Sequence, residues 1–212
     1  MSTLVDHWRR LIGSVHPDDA PFLSSRPHSF NLDWPPPAYI GDVDNAPVVL
    51  LMMNGGYNPE MTPREFADAG AIERYLDMLH NPRPVKPNDV SPYYDTANYG
   101  GYIANGRMVL VNALAYRSGK LSEERQNRML ADILPSTLVH RTWLKETVIP
   151  QAIAGDRVVI AHRNGLWDLD RYQFDHPNII FSQERRAGRV SSGSPNFARL
   201  SPEVIRIISG DY

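Results

Sequence analysis

Apolar residues recur along the chain in two distinct rhythms. Val48 to Met53 is an unbroken apolar run between Pro47 and Asn54-Gly55-Gly56, the pattern of a strand buried on both faces. Met108–Val111, Arg157–Ala161 and Asn178–Phe181 repeat it. Between these runs the period lengthens to that of a helix. Ile72, Tyr75, Leu76 and Leu79 share one helical face, as do Met129, Leu130, Ile133 and Leu134. Ser136 or Thr137 is placed to cap a further helix through Trp143 and Val148, with Pro150 bending or shortening it and Gly155 ending it. Leu4, Trp8, Leu11 and Ile12 predict a short amphipathic helix at the N-terminus. Ser201-Pro202-Glu203 opens a terminal helix through Ile208.

Four short buried strands separated by helical segments require crossover connections. The expected fold is therefore α/β: one three-layer domain over residues 1–212, with a mainly parallel four-stranded sheet flanked by helices. Residues 1–47 supply the N-terminal helix and a proline-rich wrapping segment. In that segment Pro35-Pro36-Pro37 favours extended chain, and Phe22, Phe30, Trp34 and Tyr39 offer packing groups.

Composition narrows the chemistry. The 212 residues contain 22 Lys and Arg against 24 Asp and Glu, a formal net charge of −2. Such a molecule exerts no global pull on phosphate, so a nucleic-acid site must be a local patch. There is no cysteine, which removes disulfides, thiolate metal sites and a cysteine nucleophile, and fits a cytoplasmic location. The seven histidines show no paired ligand spacing, and no dinucleotide or P-loop fingerprint is present. No cofactor and no metal are expected. The longest apolar run is too short to cross a bilayer as a helix, and a monomer away from membranes is the expected state.

Ligands of open parallel sheets gather beyond the carboxyl ends of the strands. There the chain carries Gly56-Tyr57-Asn58-Pro59-Glu60, then Asn112-Ala113-Leu114, then His162-Arg163-Asn164-Gly165, then Arg185-Arg186-Ala187-Gly188-Arg189 and Ser192-Gly193-Ser194-Pro195. In order and strand setting, GYNP, VLVNAL and SGSP resemble the three motifs of the uracil-DNA glycosylase superfamily, from about Val48 to the C-terminus.

The resemblance implies a metal-independent glycosylase that flips a uracil or modified base and hydrolyses its N-glycosidic bond. Asn58 would position the attacking water. Ser192 stands where the family often has a histidine that stabilises the departing base. Asn112 would read the base edge. Gly56, Tyr57 and Glu60 would border the base, Glu60 standing where the family often has Tyr or Gly to control thymine entry. Ser194 would bind a phosphate, and the loop from Pro195 would enter the duplex near Arg199. Two readings of His162 stay open: a stabiliser of charge on the substrate, or a hydrogen-bonded histidine at a strand end. Arg185, Arg186 and Arg189 are candidate phosphate clamps. An asparagine in the first motif can orient water but cannot act as a carboxylate base. A non-catalytic module that binds a base, nucleotide or damaged DNA on the same fold is accordingly the alternative. An unrelated small-molecule hydrolase would need a nucleophile elbow, which is absent from the sequence.

Overall fold

A computed structural model describes residues 4–86, 99–121, 123–170 and 173–182, together with Pro202 and Val204. Among them, five strands form one sheet: β1 (Tyr39–Ile40), β2 (Val48–Gly56), β3 (Met108–Ser118), β4 (Val158–Ala161) and β5 (Ile179–Phe181). Their spatial order is β1-β3-β2-β4-β5. The four strands expected from the apolar runs are all present and mutually parallel. The strand count of four is corrected to five by β1, which pairs antiparallel to β3 through Tyr39–Val111 and Ile40–Leu110. Two residues are too short to display a period of two, and β1 lies within the segment whose prolines predicted only extended chain.

β3 is also longer than its apolar core suggests. All eleven of its residues are buried, including Asn112 and Arg117. The pairing with β2 is regular from Val48–Met108 to Met52–Asn112 and shifts between Asn54–Leu114 and Gly56–Ser118. There β3 takes two more residues than β2 to cover the same step, an irregularity that re-aims side chains at the carboxyl end of the sheet.

The helices differ from expectation where local chemistry intervenes. The N-terminal helix spans Leu4–Trp8. Tighter turns follow, with Arg10 N–H donating to His7 O and Leu11 N–H to Trp8 O. Ile12 therefore lies 90% exposed. In the helix Ala71–His80 the buried face is Ala71, Tyr75, Met78 and Leu79, leaving Ile72 exposed. Met129 is likewise exposed, and its helix ends at Ala131.

The helix from Pro135 begins one residue before the expected caps, with proline in its first turn. Its orphan Ser136 N–H is satisfied from a distance by the buried Asp19 carboxylate, at 3.0 Å. Pro150 has no N–H for the preceding turn, and the chain widens there into a π-turn over Leu144–Val148 before continuing as Ile149–Ala154. Gly155, at φ 91°, ends the helix as expected. The terminal helix expected over 201–208 falls largely outside the described residues.

The helix Pro135–Trp143 packs on β3, and the N-terminal helix packs against both it and Ala71–His80. Where they meet, the fully buried His140 has both ring nitrogens engaged. Trp8 Nε1–H donates to His140 Nε2 at 2.8 Å, and His140 Nδ1–H donates to the Asn112 carbonyl at 2.6 Å. This pairing defines the neutral Nδ1–H tautomer. Burial pushes the His140 pKa from its ordinary 6.5 down to about 4.

A histidine kept neutral in the fold makes stability depend on pH. Below 6.5 the unfolded chain takes up a proton that folded His140 refuses until about 4. The contribution is complete above 6.5 and is lost as pH falls toward 4. The expected loss reaches about 1.4 kcal/mol per pH unit in that window. Urea midpoints across pH for wild type and His140→Gln should diverge in slope by roughly this amount. Parallel curves would show that His140 is not the proton-linked group.

Candidate functional site at the carboxyl edge

β3 lies on one side of β2 and β4 on the other. The connections leaving β2 and β4 therefore diverge, the topological switch point at which α/β sheets place a ligand crevice. Its walls are the β2 terminus, from Met53 to Tyr57, and the segment His162–Gly165. Leu51 O accepts from both His162 N–H and Arg163 N–H, at 3.2 Å each, which folds this segment back over β2. A Cβ on Gly165 would stand 4.0 Å from Met53 Sδ, so glycine allows close approach without being sterically required.

The glycine pair on β2 serves two purposes. Gly55 packs directly beneath Pro37, where any Cβ would overlap the proline ring. Gly56 is exposed, has open space where a Cβ would stand, and is level with Ser118. Tyr57, half-buried, donates its N–H to Ser118 O at 3.0 Å and so extends the β2–β3 contact by one bond.

Asn58 then ends the extended chain. Its Oδ1 accepts from Glu60 N–H at 2.8 Å and Met61 N–H at 2.9 Å, while its own N–H donates to Thr62 Oγ1 at 3.1 Å. This is a reciprocal cap leading into the short helix Thr62–Glu65. Both Asn58 and Glu60 are exposed. The two acceptor sites of the Asn58 amide oxygen are thereby filled by backbone donors.

Asn112 occupies a deeper level, opposite Met52 in the register. It is fully buried. Its N–H donates to Ala38 O at 2.9 Å and its Nδ2 donates to Pro37 O at 2.5 Å. The Pro37 carbonyl accepts only, which fixes which end of the amide is nitrogen. The other end, Oδ1, is buried and has no hydrogen-bond partner among the described residues. His162, also buried, leaves the sheet just after Ala161, which is level with Leu51, and lies on the other side of β2 from Asn112.

Asn58 lies beyond Gly56, four residues past Met52, and four residues of strand rise about 13 Å. The structure thus places Asn112 and His162 on the two strands that flank β2, His162 just past the end of its strand, and sets Gly56, Tyr57, Asn58 and Glu60 at the rim of the same edge. Ser192, Ser194, Arg185, Arg186, Arg189 and Arg199 lie outside the described residues.

Behind the rim stands a group that the motif reading passed over. Arg117 and Glu65 form a buried ion pair at 2.8 Å. A second guanidinium nitrogen of Arg117 reaches Gly56 O at 3.4 Å, and its carbon sits 5.6 Å from the Phe66 ring centre. Phe66 in turn stacks on Trp34, with centroids 5.0 Å apart. Asn54 Nδ2 donates to Ser118 Oγ at 3.0 Å. The signal in the sequence is Arg117 itself, a charge at the end of an apolar run, which a buried strand tolerates only when paired.

Two substitutions separate the supports of this edge. Gly55→Ala forces Pro37 off the sheet and should lower stability by roughly 1–3 kcal/mol, as overpacking does. Asn58→Ala removes a cap and should cost about 1 kcal/mol, while Asn58→Asp, which keeps the acceptor, retains most of it. Urea unfolding measures each. A neutral Asn58→Ala would show that the cap does not hold the turn in solution.

No protein-family model, curated protein or solved structure matches the chain.

Proposed function

We propose that the crevice beyond β2 and β4 recognises a nucleobase, carried by DNA or by a nucleotide, and that it binds without cleaving. The observation that carries this reading is the buried Asn112 Oδ1, an acceptor without a partner among the described residues, on a side chain whose Nδ2 is already committed to Pro37 O. A buried unpaired acceptor is costly and calls for a donor. The ring N–H of a neutral pyrimidine supplies one. Asn112 on this reading offers an acceptor alone, which favours bases with an N–H at that edge over bases presenting a ring lone pair. Tyr57, Asn54 and Asn164 give the crevice a polar approach suited to a heterocycle, and the half-buried Arg163 beside Asn164 adds one positive charge.

Hydrolysis of the N-glycosidic bond is the second reading, supported by the position of Asn58 immediately beyond β2. Its amide oxygen is filled by two backbone N–H groups, and an amide offers no basic site to take a proton from water. Asn58 would have to open its cap before holding a nucleophile. The described geometry therefore favours recognition.

A panel of duplexes and single strands, each with one uracil or modified base, tests both readings when scored for binding and for abasic sites. The expected outcome is binding without abasic-site formation, weakened about tenfold or more by Asn112→Ala, the effect of losing a buried matched hydrogen bond. Unfolding midpoints measured alongside identify any loss that is only structural. Abasic sites that disappear with Asn58→Ala would establish excision instead. Absence of binding to every base, with nucleotides included, would overturn both readings.

A further inference from the structure

On the face of the molecule where the N-terminal helix packs, three side chains separated in sequence come together. His7 lies in the last turn of its helix, His16 follows the Gly13 turn, and Asp18 comes two residues later. The His7 and His16 rings are buried and stacked, with centroids 3.7 Å apart and planes 18° from parallel. Trp8 presents an edge contact to both rings, at 5.2 and 5.5 Å. Each Nδ1 lies 3.9 Å from Asp18 Oδ2. One ligand atom from each of the three residues falls within 4.8 Å of the others.

We propose that His7, His16 and Asp18 form a binding site for a divalent transition-metal ion, which enters by exchange with the Arg10 side chain.

The tautomers support this assignment. His16 Nε2–H donates to the His7 carbonyl at 2.8 Å, leaving its Nδ1 as the lone-pair nitrogen. That arrangement matches the outer bond by which a backbone carbonyl orients a metal-binding imidazole. At His7, Nδ1 faces an Arg10 guanidinium nitrogen at 3.3 Å and is therefore also an acceptor.

A cation already lies against these groups. Arg10 donates to Asp18 through both terminal nitrogens, at 3.1 and 2.5 Å, and the same guanidinium faces His7. The Arg10 side chain is about half exposed and Asp18 more than a third, so the head can swing into solvent while the two rings stay packed. A tetrahedral ion with bonds of about 2.0–2.2 Å holds its donors roughly 3.4 Å apart. The observed 3.9 Å separations therefore need only modest contraction. The bond to be surrendered is the 3.2 Å contact from Asp18 N–H to His16 Nδ1. Two imidazoles and one carboxylate suit zinc, nickel or cobalt, whereas magnesium and calcium prefer all-oxygen shells.

The test is calorimetric titration of Zn²⁺ into the full chain at neutral pH, with Co²⁺ absorption as a second readout of coordination. One ion per chain should bind. Asp18→Asn should weaken binding about tenfold or more, on the scale of lost metal-site contacts. Arg10→Ala should tighten it, because the competing cation is gone. Thermal unfolding of each metal-free variant confirms that it is folded. Absence of saturable binding by wild type and by Arg10→Ala, or affinity unchanged by Asp18→Asn, would overturn the site. Saturable binding that Arg10→Ala leaves unchanged or weakens would overturn the exchange.

Discussion

His140 is a buried imidazole with no solvent to complete its hydrogen bonding, so each nitrogen must find a fixed partner. Trp8 on the N-terminal helix supplies the donor and the Asn112 carbonyl on β3 supplies the acceptor. The three elements can then adopt only arrangements in which both bonds survive. The tie reaches further, because Asn112 also holds the Pro37 carbonyl, and Pro37 packs on Gly55 at the end of β2. The carboxyl edge is thus positioned by a chain of contacts that starts at Trp8 on the N-terminal helix. A polar residue at the centre of a buried strand would ordinarily be a liability. Here three of its four polar groups are used in joining elements that apolar packing alone would leave free to slide.

The strands were legible because burial on both faces leaves an apolar run that no loop imitates, and all four such runs are parallel strands in the sheet. Helix phase was less legible. Ile72 and Met129 match the spacing of a buried face yet are exposed, since one residue of rotation exchanges them for Ala71 or Leu130 and both choices look apolar in sequence. The cap on Ser136 was hidden for another reason. Its acceptor, Asp19, lies 117 residues away, and no local motif announces a partner at that distance. β1 escaped because a two-residue strand has no period.

The candidate site shows the same division. Glycine and asparagine after β2 marked a turn at the sheet edge, and the turn is there. What the sequence could not convey is that the Asn58 oxygen faces inward to its own backbone, or that Asn112 holds Pro37 with its amide nitrogen. Both depend on where neighbouring carbonyls and N–H groups fall after folding. His7, His16 and Asp18 were invisible as a group because the nine residues from His7 to His16 match no helical face, and the turn at Gly13 brings the two rings together.

The electrostatics of the edge constrain what it can take. The charged groups described behind its rim, Arg117 and Glu65, are buried and engaged with each other. Their charges largely cancel, and separating them would leave one uncompensated in a low-dielectric setting, a change that commonly costs 3–5 kcal/mol. The pair therefore acts as a rigid support for the Gly56 carbonyl and the Phe66–Trp34 stack rather than as a field drawing in anions. With a net charge of −2 over the whole chain, this pair adds no attraction to a phosphate backbone. On the proposed reading, recognition in the crevice rests on the shape and hydrogen-bonding edge of the base, which is the kind of selectivity that a single buried acceptor such as Asn112 Oδ1 can enforce.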